Sequence, residues 1–560
     1  MWWTVMAVAA ATPATVVCAA PEELSTFISD VDTDLIWLEG GCDYALQAVV
    51  SKTLTIATDP TSVDPAVLIP TGSTNTPMLS IPTASLTLEH LTLDGRGTHG
   101  LIGTGAATLT LTDVTAKNGF AANGAAIYSN DGTVTIDAST FESNTATAAG
   151  GHLHAIGAAS FTVSNSTFSL GQANNGGGLY IGPAASLNLI NVLATDHTAT
   201  SAGGFLYSSN DATVRGLYSS THASASGGAI FNSGRMNVCD SIFETGTATS
   251  GGAIHSNAGA IELGVESDGL PCVPVYGPLG GALFEDHAAA NGGAVYAVNT
   301  TVTLEGSALS NGSVTGSGGH LWLSNAPTTV RNSTMSDGSA TSSGGCIRAV
   351  SNGPLVVENT TLERCSTSLH GGAVFSQVPT TLRATSIVDS SAAENGGGLH
   401  FSLDLAFTVD DVQLTGTYAG VEGGAIYLSA TNASSTLTNL SVTESSAAVG
   451  GAIAVRGAAA TIDRFTLDGG FAADGAGIFV AGTSNLLLRR GLLCNNDGGY
   501  GTITLRDTSG DPIVYATQLA LVNNTANRGG AFNIESDAAL DGSLLHLVGN
   551  TAYEGGAIYA

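Results

Sequence analysis

Apolar and polar residues alternate along this chain in short runs, and the runs return in a fixed order. Residues 132–158 hold one cycle: Gly-Thr-Val-Thr-Ile-Asp, then Ser-Thr-Phe-Glu-Ser-Asn-Thr-Ala, then Gly-Gly-His-Leu-His-Ala-Ile-Gly. Alternation broken by Gly, Asn and Asp is the pattern of short strands joined by turns. A five-residue phrase marks each cycle, in the form Gly555-Gly556-Ala557-Ile558-Tyr559. Its first position recurs at Gly124, Gly150, Gly176, Gly203, Gly227, Gly251, Gly292, Gly318, Gly344, Gly371, Gly396, Gly423, Gly450, Gly475, Gly529 and Gly555. The period is near 26 residues, with one interval of 41 and one of 54. The first long interval predicts an insertion, placed at 263–280. The second predicts an irregular coil that lacks the phrase, placed at 491–510.

A repeat of this size predicts a solenoid, and the glycine content leaves no long amphipathic stretch for a helical one. Like strands of successive coils pair in parallel at about 4.8 Å. The predicted fold is therefore all-β, a right-handed parallel β-helix over 34–560. Pro21 to Ser29, with Leu24, Phe27 and Ile28 on one side, predicts a short capping helix within 21–33, since the first coil of a solenoid needs cover.

The fourth position of the phrase is apolar throughout, from Ile127, Leu153 and Leu179 to Phe532 and Ile558, which predicts a core ladder. Adjacent strand residues face opposite ways, so the third and fifth positions are expected to look outward. The fifth holds Tyr128, Tyr180, Tyr207, Phe231, Tyr296, Trp322, Phe375, Tyr427, Phe479 and Tyr559, with His154, His255 and His400 among them and Arg348, Ala454 and Asn533 as interruptions. Two readings follow. An outward aromatic stripe is a candidate docking face for a glycan or a cell-surface protein; stacked rings that only stabilise the coil are the alternative.

Charge narrows the partners. With 45 acidic and 15 basic residues the net charge is −30, and Lys52 and Lys117 are the only lysines. Phosphate binding needs a basic face, so nucleic acid is excluded as a partner. Met1 to Ala20 is uncharged and ends Val16-Val17-Cys18-Ala19-Ala20, which predicts an export signal over 1–20 cut near Ala19 or Ala20, and a mature chain without a transmembrane segment. Cys239 and Cys272 are an expected disulfide, and Cys346 and Cys365 share a coil. No CxxC spacing occurs, and His152, His154 and His320 within the phrase read as flat side chains in a stack, so no metal or cofactor is expected.

Catalytic chemistry has two candidate places. Asp410-Asp411 is an acidic pair of the kind glycosidic hydrolysis uses, but strand neighbours diverge, and His99-Gly100 and His370-Gly371 precede the pair. Asp94-Gly95-Arg96 offers a cation beside a carboxylate, as a polysaccharide lyase would need. No catalytic residue is assigned.

The intact phrases at Gly227–Ile230, Gly251–Ile254, Gly423–Ile426, Gly450–Ile453 and Gly555–Ile558, with Phe141-Glu-Ser-Asn144, resemble the Gly-Gly-Ala-Ile and Phe-x-x-Asn repeats of the chlamydial-type polymorphic outer-membrane proteins. Looser forms of the second motif are Ala308-Leu-Ser-Asn311, Leu521-Val-Asn-Asn524 and Leu547-Val-Gly-Asn550. The resemblance spans roughly residues 120–560 and implies a surface-exposed or secreted β-helix passenger with an adhesive role. The family's C-terminal barrel strands are not seen before Ala560. A polysaccharide lyase or glycoside hydrolase on a β-helix scaffold is the alternative function.

Overall fold

Four strands make the coil that follows the first phrase: Ile127–Asn130, Thr133–Asp137, Thr140–Glu142 and Thr145–Ala149. Single residues in left-handed backbone separate them, Asp131 at φ 65°, Ala138 at 49° and Ser143 at 54°, and Gly150 closes the coil at 63°. A lone left-handed residue turns the chain sharply and costs least for Gly, Asn or Asp. One coil later Gly157, Asn165 and Gly176 hold such corners. The structure is a computed structural model that describes residues 13–560 apart from 73, 75, 275–279, 403, 404, 507–509 and 536, with the backbone alone at 430–434.

Successive coils pair in parallel. Ile127 lies beside Leu153, Val134 beside Phe161 and Phe141 beside Phe168, and all six side chains are buried. The Phe141 and Phe168 rings stack at 4.7 Å. The chain divides into two units, Met1–Met236 with Ser241–Phe243, and Asn237–Asp240 with Glu244–Ala560. The second unit repeats the plan of the first: Ile254, Val295, Leu321 and Ile347 occupy matching rungs. The fold is the predicted parallel β-helix. The fourth position is fully buried from Ile127 to Ile230 in the first unit and from Ile254 to Phe532 in the second, and only Ile558, in the last coil, is 44% exposed.

The third position corrects an expectation. Ala126, His152, Phe205, His320 and Cys346 are buried, not outward. The phrase strand begins at the fourth position, at Ile127 or Leu153, so strand alternation does not reach the third, which lies inside the glycine corner. There it meets the residue that follows the preceding left-handed corner. Asn144 Nδ2 lies 2.9 Å from His152 Nδ1 and donates to Ala116 O at 2.9 Å, while its Oδ1 accepts from Gly119 N at 2.7 Å. This accounts physically for Phe-x-x-Asn: Phe141 fills the core, and Asn144 ties buried backbone to the preceding coil. Asn496, Asn524 and Asn550 form a like ladder, each amide donating to the next Oδ1 at 2.9 and 2.8 Å. Ala308–Asn311 is out of register, because Asn311 is itself a left-handed corner and Gly312 follows it.

Three segments refine the boundaries. The coil expected to be irregular at 491–510 is regular where described: Asn485–Cys494, Asp497–Tyr500 and Ile503–Arg506 all pair in parallel with their neighbours. Its phrase is one residue shorter, Gly501-Thr502-Ile503, with Gly501 at φ 51° and Ile503 fully buried. In the insertion, Val265 bridges Pro271, and Cys272 is bonded to Cys239 with their Cα atoms 5.7 Å apart; positions 275–279 lie outside the described residues.

At the N-terminus, residues 1–12 of the expected signal also lie outside the description, but Ala14–Val16 pairs in parallel with Ile36–Leu38, and Cys18 is bonded to Cys42. A cut at Ala19 or Ala20 would remove a paired strand and half of a disulfide. The expected cap is present as the helix Glu23–Ser29, with Leu24 and Ile28 buried. Lys52 Nζ donates to the carbonyls of Phe27, Asp30 and Thr33, at the end of the helix where its dipole favours a cation. No helix among the described residues is long and apolar enough to cross a membrane.

Candidate functional site

The last strand of each coil meets the phrase strand at the glycine corner, and the fifth-position side chain lies beside that corner, as His154 does at Gly124. Parallel in-register strands bring like side chains to ring-stacking distance. In the first unit Tyr128, His154, Tyr180, Tyr207 and Phe231 form one column, with centroids 5.3, 4.8, 4.9 and 4.9 Å apart and planes within 12°. In the second, His255, Tyr296 and Trp322 continue the pattern at 4.8 and 4.3 Å. Phe375, His400 and Tyr427 follow at 5.0 and 4.8 Å. Arg348 does not interrupt this column: its guanidinium lies 5.9 Å from the Trp322 ring and 5.8 Å from that of Phe375, a cation between two ring faces.

The stripe is therefore not the open aromatic face expected. His154, Phe375, His400, Tyr427 and Phe479 are buried, the other rings are half-buried, and within the columns ring faces are spent on one another. Burial pushes His154 and His255 down to about 4 and His400 to about 3, so these imidazoles are neutral members of the stack. Burial likewise raises the Tyr207, Tyr296 and Tyr427 hydroxyls above the usual phenol range.

Toward Ala560 arginines replace rings. Where Ala454 is small, Arg456 lies 5.1 Å from the Phe479 ring and pairs with Glu422. Arg506 binds Asp474 at 2.6 Å and Glu535 at 2.8 Å, and Arg528 lies 5.1 Å from the Tyr559 ring. Burial outweighs Arg506 at Asp474 and pushes that carboxyl up to about 6. Sequence reasoning missed this group. Its signal was the residue before the phrase glycine, which is Glu422, Asp474, Arg528 or Glu554 in these coils.

The first unit's column has an open end. Tyr128 lies on His154 on one side; its rung partner on the other is Gly103, which has no side chain to cover the ring. There a cleft of about 450 Å3 opens, lined among others by Pro77, Thr98, Phe120, Asn123, Tyr128 and Thr147. Pro77 Cγ lies 3.0 Å from where a Cβ on Gly103 would stand, so any larger residue there would crowd the cleft wall. Phe120 is 42% exposed.

Of the two catalytic candidates, Asp410-Asp411 falls elsewhere, and the Arg96 group borders a hollow that shares Phe120 with the cleft. Asp411 is a left-handed corner at φ 56° and lines a hollow of about 170 Å3 with Ser386 and Gln413. Asp410 does not line it; its Oδ1 accepts from Thr438 Oγ1 at 2.6 Å and Asn439 Nδ2 at 2.8 Å, which hold its pKa below the usual carboxylate range. Arg96 bridges Asp43 at 2.7 Å and Asp94 at 3.6 Å, beside an open hollow of about 560 Å3 that it lines with Asn118, Phe120 and Ser143. Lys117 is the rung partner of both Asp94 and Glu142. The cysteines of the two Cys–Glu–Cys groups, Cys18, Glu39, Cys42 and Cys239, Glu266, Cys272, are disulfide-bonded.

The chain is a parallel β-helix carrying stacked aromatic columns. No protein-family model matches the sequence, and no curated protein matches it either. Among solved structures it is similar to the PL6 family alginate lyase AlyGC, at 10% identity over 96% of this chain and 100% of that one, with a TM-score of 0.22. An arginine mutant of that enzyme gives 11% identity and 0.23. A mannuronic acid specific polysaccharide family 6 lyase from human gut microbiota gives 9% identity over 94% and 86% of the two chains, with a TM-score of 0.17. Likeness at this level carries no argument about chemistry or substrate.

Proposed function

We propose that this protein is an exported β-helix that works by binding, as a surface-displayed or secreted adhesive passenger. The observation that carries this is the make-up of the Tyr128 cleft. Its lining offers two aromatic rings, hydroxyls and an amide, and among the described residues no carboxylate, imidazole, lysine or arginine. Such a surface is suited to holding a ligand, and its described residues lack the paired carboxyls that glycoside hydrolysis uses. Pairing of six cysteines, Cys18–Cys42, Cys239–Cys272 and Cys346–Cys365, supports an oxidising, extracytoplasmic setting. The repeat resemblance to polymorphic outer-membrane passengers supports the same role. The test is retention of purified, fluorescently labelled protein on cell surfaces. Saturable retention is the expected result, and none on any surface tried would reject the reading.

A second reading, polysaccharide lyase, is favoured by one observation: Arg96 beside Asp43 and Asp94 at the rim of an open hollow. It predicts release of unsaturated product from acidic polysaccharide.

A further inference from the structure

Resting on the binding reading, we infer that the Tyr128 cleft is a site for one pyranose ring of an uncharged glycan, seated on the uncovered face of Tyr128. Every other ring of this column that stands between two aromatic neighbours spends both faces on them. Tyr128 differs because the glycine phrase starts at Gly124, so the coil before it supplies Gly103 as rung partner and no ring. The space left over is large enough for a ligand, about 450 Å3, and lies within the size range of small-molecule sites.

Its chemistry selects the ligand. A pyranose has an apolar face of axial C–H bonds and a rim of hydroxyls, and aromatic platforms with hydroxyl and amide neighbours match both. Here Tyr128 supplies the platform, Phe120 and Pro77 the apolar flanks, and Thr98, Asn123 and Thr147 the polar rim. A planar aromatic ligand would gain from the ring but make no use of the exposed Thr147 hydroxyl and the half-buried Asn123 amide, to which a sugar's hydroxyls can hydrogen-bond. Charge selects further. The described residues of the cleft lining include no cation, Arg96 in the adjoining hollow is already held by Asp43 and Asp94, and the chain carries −30, so a uronate polymer would meet net repulsion there. An uncharged hexose or N-acetylhexosamine oligomer fits. A polyuronate does not.

The test is saturation-transfer NMR on the whole chain with separate probes: cellotetraose, maltotetraose and triacetylchitotriose as uncharged oligomers, and alginate and galacturonate tetrasaccharides as charged ones. At least one uncharged probe is expected to bind with a millimolar or tighter Kd, with the strongest transfer to its axial ring protons. Tyr128→Ala should raise that Kd by about tenfold or more. Thr147→Arg, an exposed change at the rim, should block the cleft without touching the core. Thr147→Arg should keep the wild-type melting temperature; Tyr128→Ala removes a half-buried ring stacked on His154 and should lower it modestly, so binding is read well below the transition, and Tyr180→Ala, which carries a like packing loss inside the column, serves as the control that leaves binding in place. Binding by none of the uncharged probes, or binding unchanged in both Tyr128→Ala and Thr147→Arg, overturns the assignment. Preference for the uronates does so too. Cell retention measured on the same samples separates the two proposals: retention that survives loss of glycan binding rejects this site alone, and absence of retention in the wild type rejects the adhesive reading.

Discussion

At the residue scale the fold rests on two repeated demands, an apolar fourth position and a glycine that opens the phrase. Ile254 is fully buried, so Ile254→Ala is expected to cost about 2–5 kcal/mol, and Ile254→Asp more, because its charge would have no partner. Gly176 stands at φ 60°, where a Cβ would lie 2.0 Å from Leu179 O. Gly176→Ala should therefore lower the melting temperature although it adds a single methyl group, and a wild-type melt in either position would show that the corner has been misread. Histidines set the pH response. Burial, the first cause in each, holds His152 and His400 at about 3 and His154, His255 and His320 at about 4. Unfolded, these side chains take up protons near pH ~6.5. Between the two values the unfolded chain binds more protons, so stability is full above about 6.5 and falls as the pH drops toward 4. Asp474, raised to about 6, acts in the opposite sense and loses stability as pH rises from about 4 to 6, but it is one group against six, because burial also holds His197 well below its ordinary value. Thermal melts from pH 7.5 to 4.5 should fall on the acid side, and His154→Tyr, His255→Tyr and His400→Tyr combined should flatten the fall. A flat wild-type profile would refute the account.

At the scale of the strand and corner, legibility follows from which positions obey strand alternation. The fourth-position ladder could be read because Ile127, Leu153 and their successors lie inside strands and never turn polar. His152 and Cys346 could not, because they precede the strand and point into a corner whose angle no local pattern encodes. For the same reason the aromatic column was visible as a stripe while its burial was not: exposure of Phe479 or His400 depends on how the neighbouring strand bends at the glycine. The open end of the column was written in the text, in the absence of a phrase before Gly124, but its meaning needed the rung pairing of Tyr128 with Gly103. Cysteine pairing was half legible. Cys239–Cys272 and Cys346–Cys365 join residues close in the repeat, whereas Cys18–Cys42 depends on Ala14–Val16 being a strand of the first coil. Two measurements follow. Alkylation of the unfolded, unreduced protein should modify Cys494 alone, the cysteine outside the three disulfides, and more than one modified site would contradict the pairing. The mature N-terminus should lie at or before Ala14, because a start at Ala20 or Pro21 loses the strand that covers Ile36 and Leu38; intact-mass analysis of exported material decides this.

At the scale of the whole molecule, charge weighs on catalysis as it does on partners. A chain of net charge −30 repels polyuronates over distances of a Debye length, about 8 Å at physiological salt, and only local cations can offset that. Arg96 is the cation best placed at an open hollow, yet Asp43 and Asp94 already hold it, and Lys117 lies between Asp94 and Glu142 on the ladder. A lyase must present such cations to the substrate carboxylate and keep a base beside the sugar C5 proton. A hydrolase must aim two carboxyls at one bond, whereas Asp410 is held by Thr438 and Asn439 and Asp411 turns a corner. The expectation is that wild-type protein releases neither unsaturated uronate nor reducing ends from alginate or polygalacturonate, with or without calcium. Arg96→Ala, Lys117→Ala, Asp410→Asn and Asp411→Asn should leave both readings at the blank. The opposite outcome is equally sharp. Turnover by the wild type that falls about a hundredfold in Arg96→Ala or Lys117→Ala, at unchanged melting temperature, would mean that the hollow beside Phe120 is an active centre. The uncovered Tyr128 ring next to it would then belong to the substrate path of an enzyme, and the adhesive reading would fall.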